Sequence, residues 1–96
     1  MRLYLKTLEL VSLQTLPVRL GRFLVRLAKD YGVEQEGKIV ISAHLSQLDI
    51  AHQLACSRES INKQMGIFAE MNLLGHEGDN IILLDLEGLK RAIAPV

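Results

Sequence analysis

The spacing of apolar and polar positions changes several times along the chain, and each change marks an element. From Met1 to Leu13 the apolar residues Leu3, Leu5, Leu8, Leu10, Val11 and Leu13 are unevenly spaced, and helix describes them better than strand. A helix of that length is marginal alone, so these leucines pack either on this domain or on a partner chain. Thr15 and Pro17 then give a fresh start signal, because proline is tolerated in a first helical turn. The helix they open runs to about Lys29, with Leu16, Leu20, Phe23, Leu24 and Leu27 in one stripe and Arg19, Arg22, Arg26 and Lys29 decorating the rest. Gly32, after Tyr31, reads as its left-handed cap. This divides the chain into an N-terminal helix over 1–16 and a domain over 17–96.

Val33 to Gly37 is polar and reads as a loop, and Lys38 to Ile41 as a short β-branched strand. Ser46 caps a helix over about Gln47 to Leu54, and Asp49 three residues on completes a capping box with Asp in place of the usual Glu. Ile50, Ala51 and Leu54 face inward. After a tight turn at Leu54-Ala55-Cys56-Ser57, Ser57 caps a second helix over about Arg58 to Met71, and Asn72 fits its C-terminal cap. Leu73 to His76 and Ile81 to Leu84 read as strands joined by Glu77-Gly78-Asp79-Asn80, and Asp85 or Leu86 opens a helix over Glu87 to Ile93 that Pro95 closes. Helix, helix, strand, helix–turn–helix, hairpin, helix is a winged helix–turn–helix, mainly α with a small β component (α+β), in which the hairpin is the wing.

Composition bounds the function. At 96 residues and 49% apolar, the chain makes one small domain with one core. No apolar run is long enough to span a membrane. The single cysteine, Cys56, excludes an internal disulfide and favours a reducing, cytoplasmic setting. Residues 1–33 carry six basic and two acidic side chains, net +4, whereas residues 34–96 carry five and nine, net −4. The helix–turn–helix thus lies in the acidic part, and general attraction to a polyanion is modest. His44, His52 and His76 match no metal-ligand spacing, and Cys56 beside a helix start is better read as packing than as a redox thiol. No phosphate loop, nucleophile elbow or carboxylate pair is present, so an enzyme is not expected.

The chemistry concentrates in the second helix of the helix–turn–helix. At about 100° per residue, Arg58, Glu59, Asn62, Lys63 and Gly66 share an arc of roughly 140°, opposite Ile61, Met65, Phe68 and Met71. Such a polar face is ordinarily solvated, but this one suits base edges. Arg58 can donate a bidentate pair to guanine, Glu59 can accept from cytosine N4, and Lys63 can donate to guanine. Ser57 and Ser60, near the helix start, can donate to phosphates.

Taken with Ser46-Gln47-Leu48-Asp49-Ile50-Ala51, Glu70-Met71-Asn72-Leu73-Leu74, Leu84-Asp85-Leu86-Glu87-Gly88-Leu89 and Arg19 to Ala28, the stretch Leu54 to Lys63 resembles the DNA-binding domain of the Crp–Fnr family of bacterial transcription regulators. The resemblance covers nearly all of Val18 to Ile93. It implies base reading by Arg58, Glu59 and Lys63, backbone contacts from Ser46, Gln47, Ser57, Ser60 and Asn62, and a homodimer on palindromic double-stranded DNA. It also implies RNA polymerase as a further partner, and a sensing barrel outside this chain that binds the effector, with no cofactor in the chain itself and no membrane contact. On that basis the chain is read as the C-terminal portion of a longer regulator, with residues 1–16 the end of its dimerisation helix; the alternative reading makes 1–16 the start of a stand-alone protein. Departures are Lys63 where Arg is usual, Ala55 where Gly is common, Leu48 for a polar residue, Gln64 for a small or apolar one, and the acidic wing sequence His76-Glu77-Gly78-Asp79-Asn80. With the neutral net charge, that wing keeps a second reading open: a winged helix used for protein–protein contact, with DNA binding weak or lost.

Overall fold

The computed structural model describes residues 2–42, 45–78 and 80–93, with side chains from residue 16 onward within those ranges. The chain runs α1 (Arg2–Tyr31), β1 (Gly32–Gln35), β2 (Lys38–Ile41), α2 (Gln47–Leu54), α3 (Arg58–Glu70), β3 (Leu74–Glu77), β4 (Asn80–Leu83) and α4 (Leu86–Ile93). The strands form one antiparallel sheet in the order β1-β2-β4-β3, with Val40 opposite Ile82 and Gly75 opposite Ile82 on the other side. The α2–turn–α3 unit followed by the β3–β4 hairpin is the expected winged helix–turn–helix.

Three sequence expectations are corrected. The two N-terminal helices are one, with Pro17 inside it. Proline removes one backbone donor and crowds the carbonyl four residues back, yet α1 continues through it. No break in secondary structure therefore falls between 1–16 and 17–96. Whether the leucines of Met1 to Leu13 face the core or a partner lies outside the described side chains, as Pro95 lies outside the described residues.

Val33 to Gly37 is not a loop. Residues Gly32–Gln35 form β1 and pair with β2 across a two-residue turn, Glu36-Gly37, at φ 52° and 80°. Positive φ at both central positions is the turn geometry that matches the twist of a tight hairpin. Nor is Gly32 a left-handed cap, since only Gly37 and Gly78 among the glycines described have positive φ. Gly32 serves a close approach instead: a Cβ there would stand 2.3 Å from the Ala28 carbonyl oxygen and 2.5 Å from Ile39 Cγ2.

The core lies where α1, α2, α3, the sheet and α4 converge. Leu20, Leu24, Ile41, Ile50, Ile61, Leu74, Leu83 and Leu89 are fully buried in it, and burial of each such side chain is worth about 1.5–3 kcal/mol. The Asp85 carboxylate caps α4 by accepting from Gly88 N–H at 2.8 Å. Ile93 of α4 sits so close to Gly21 of α1 that a Cβ at Gly21 would lie 2.4 Å from it. These contacts fix α1 and the sheet as a platform behind α2 and α3.

Candidate nucleic-acid interface

The helix–turn–helix is held at each of its ends. At the start of α2, Ser46 Oγ accepts from Asp49 N–H at 3.1 Å while the Asp49 carboxylate accepts from Ser46 N–H at 3.0 Å, the expected capping box. The Ser46 backbone N–H, then its hydroxyl, holds the exposed Asp49 carboxyl below the usual aspartate range. At the turn, Ala55 takes φ 54°, Ala55 N–H donates to His52 O at 3.3 Å, and Cys56 N–H donates to Ala51 O at 3.0 Å. The half-buried Arg19 adds its guanidinium to the Leu54 carbonyl. The Ala51, His52 and Leu54 carbonyls in the last turn of α2 are thereby satisfied, and a cation sits at the negative end of the helix.

At the start of α3, Ser57 Oγ accepts from Ser60 N–H at 3.1 Å and its hydroxyl meets Ser60 Oγ at 2.9 Å. At the exit, Asn72 takes φ 60°, and the bonds Asn72 N–H to Ala69 O and Leu73 N–H to Phe68 O, both 3.0 Å, close the helix. This two-bond closure around one left-handed residue turns the chain sharply into the wing.

Held this way, α3 buries Ile61, Gln64, Met65 and Phe68 and exposes Arg58, Glu59, Asn62, Lys63 and Gly66. Met71, expected on the inner face, is half exposed at 50%, because the helix has already ended before it. Ser46 and Ser57 are exposed, and Gln47 and Ser60 half-buried. A shallow groove between the start of α2 and α3 brings together Ser46, Gln47, Leu48, Arg58, Glu59 and Asn62. Lys63 lies outside that groove, farther along the same exposed face. Across the groove Gln47 Nε2 donates to Asn62 Oδ1 at 3.1 Å. Among the described residues the one salt bridge is Lys90–Glu87, so Arg58, Glu59 and Lys63 are not engaged in one there.

Sequence reasoning misses two features. Arg19 reads as part of the decorated face of its helix, yet its partner lies 35 residues away, beyond any local pattern. The Gln47–Asn62 bond joins residues 15 apart and appears only once the two helices are packed. Elsewhere, His52 and His76 are exposed, Cys56 is half-buried against the core, and His44 and Asp79 lie outside the described residues. Among the described residues no three His, Cys, Asp or Glu side chains gather as a metal site, and no helix is long and apolar enough to cross a membrane.

Residues 18–92 match the family model of the Crp-like helix-turn-helix domain. A CRP-like cAMP-activated global transcriptional regulator of Mycobacterium tuberculosis (strain ATCC 25618 / H37Rv) is 32% identical over 75 residues, which make up 78% of this chain and 34% of that protein. Among solved structures, the imidazole-bound CO-dependent transcription factor CooA from Carboxydothermus hydrogenoformans aligns with TM-score 0.79 at 25% identity, over 92% of this chain and 42% of that one. A transcriptional regulator of the CRP/FNR family from Thermus thermophilus aligns with TM-score 0.71 at 29% identity, over 95% of this chain and 47% of that one. The chain thus spans about a third of the mycobacterial relative and under half of the two structures. Its winged fold, its turn and caps, and the match over residues 18–92 agree: the chain belongs to the family of Crp-like helix-turn-helix domains of transcription regulators.

Proposed function

We propose that this chain reads DNA sequence, with α3 in the major groove and Arg58, Glu59 and Lys63 on base edges. Ser46, Gln47, Ser57, Ser60 and Asn62 face the sugar–phosphate backbone and set the register. The observation that carries the reading is that Arg58, Glu59, Asn62, Lys63 and Gly66 are exposed together on a helix whose other face is locked into the core. A base-reading helix needs that arrangement, because its side chains gain discrimination only when the scaffold does not yield. Arg58 supplies the planar fork for guanine and Glu59 the acceptor for cytosine, while Gly66 lets the backbone approach closely. In the full-length regulator two copies read the two halves of a palindrome, an effector binds a sensing domain outside this chain, and RNA polymerase is a further partner. The protein works in the cytoplasm.

The exposed His76 and Glu77 of the wing and the net charge of −4 over residues 34–96 favour a second reading, a protein–protein module that has lost DNA affinity. Selection from a random duplex library, with the chain alone and artificially dimerised, separates the two. Sequence reading predicts an enriched half-site with G and C at adjacent positions. It also predicts a shallow salt dependence, with a logarithmic slope of about −2 to −3 per chain, since few cations meet phosphates. No enriched motif in either form sinks the sequence-reading function and leaves the protein–protein reading.

A further inference from the structure

Asn62 sits near the middle of the exposed arc of α3, between the directions of Arg58 and Glu59 at about 100° per residue. A free asparagine there would read adenine, since its oxygen accepts from N6–H while its amide nitrogen donates to N7. In this chain Asn62 Oδ1 is turned onto α2, where it accepts from Gln47 Nε2 at 3.1 Å. Among the described residues this is the one side-chain hydrogen bond between α2 and α3, and it lines the groove that also holds Arg58 and Glu59. An amide whose oxygen points at α2 cannot lay both polar atoms along one base edge. It presents only its Nδ2–H groups, which suit a phosphate oxygen or a lone purine N7.

We infer that Gln47 is a positioning residue that acts through Asn62, holding it as a donor-only group turned to the sugar–phosphate backbone and so keeping it from reading adenine at the adjacent base pair. Specificity gained by denying a competitor its contacts is as effective as adding contacts to the favoured partner. The inference rests on the base-reading function proposed above and names a residue of α2, outside the reading helix, that shapes what is read.

The wild-type chain is compared with Gln47→Leu on sets of four duplexes, one set for each base pair of the half-site recovered by selection, the four differing only at that pair. Gln47→Leu keeps the side-chain bulk and removes the donor. It is expected to raise relative affinity for adenine at one position by roughly five- to hundredfold, leaving preferences elsewhere as they were. In an Asn62→Ala background the same change should shift nothing. A second variant, Gln47→Glu, offers an acceptor to Asn62 Nδ2–H and turns the asparagine oxygen outward, so preference at that position should move towards bases with donors, adenine or cytosine. An unaltered profile in both variants, or a uniform loss of affinity with no positional change, overturns the role of Gln47 while leaving base reading intact. Failure of the wild-type chain to select any motif overturns base reading and this inference with it.

Discussion

Ala55 holds φ at 54° in the turn between the two helices, a conformation that costs a residue with a Cβ about 1–2 kcal/mol. Glycine escapes that cost but gives back about 0.4–1 kcal/mol through the greater freedom of its unfolded chain. Ala55→Gly should therefore stabilise the domain by about 1 kcal/mol, read as a higher urea midpoint with an unchanged slope. The residue pattern does not mark Ala55 as left-handed; the one hint is the family resemblance, in which glycine is common at that place. Other residues are not legible at this scale. Gln64 is buried at 8% beside Ile61 and Met65, and among the described residues no buried polar side-chain atom lacks a partner. Arg19 looks like surface charge and is instead the cation on the Leu54 carbonyl. Polar residues can be assigned to surface or interior only once the packing that surrounds them is known.

Start signals are legible where a side chain caps the helix itself, as in α2 and α3, but not in α1, where Thr15 and Pro17 lie inside a continuous helix. The α2 and α3 helices begin at Ser46 and Ser57 as expected, because an N-cap serine satisfies orphan donors within three residues of itself. The Asp49 carboxyl, held below its ordinary range by Ser46, yields a pH prediction. A depressed pKa in the folded state contributes stability above the unfolded value, which is lost as pH falls through the folded one. The stability advantage of wild type over Asp49→Asn should thus be full near neutral pH and shrink below about pH 4, followed as the difference in thermal midpoint. Elements defined by tertiary pairing are not legible in the same way. The β1 strand is exposed and polar, so no hydropathy pattern marks it; only Glu36-Gly37 between Gln35 and Lys38 hints at a two-residue hairpin. The role of Gly32 is likewise tertiary. Gly32→Ala should lower stability by about 1–3 kcal/mol, typical of overpacking, because a backbone oxygen stands in the way of its Cβ. Were Gly32 a conventional strand residue, alanine would be neutral or mildly stabilising in chemical denaturation.

On the scale of the whole molecule, the fold presents one polar helix face and backs it with a core drawn from every helix and the sheet. Charge is arranged so that this face lies in the acidic portion of the chain. On the proposed reading, affinity for DNA would come from placement and from pairing with a second copy, and only a little from general attraction. The central claim is that Arg58 and its neighbours touch bases, which the base-pair preference profile of Arg58→Ala tests most directly when measured beside wild type and Lys63→Arg under identical salt. Arg58→Ala should cost about 1–3 kcal/mol and flatten preference at one base pair, with the rest of the profile retained. Lys63→Arg, which restores the rigid bidentate fork, should sharpen guanine preference at another. A profile that Arg58→Ala leaves unchanged, or an affinity loss shared equally by all sequences, would contradict base reading by α3.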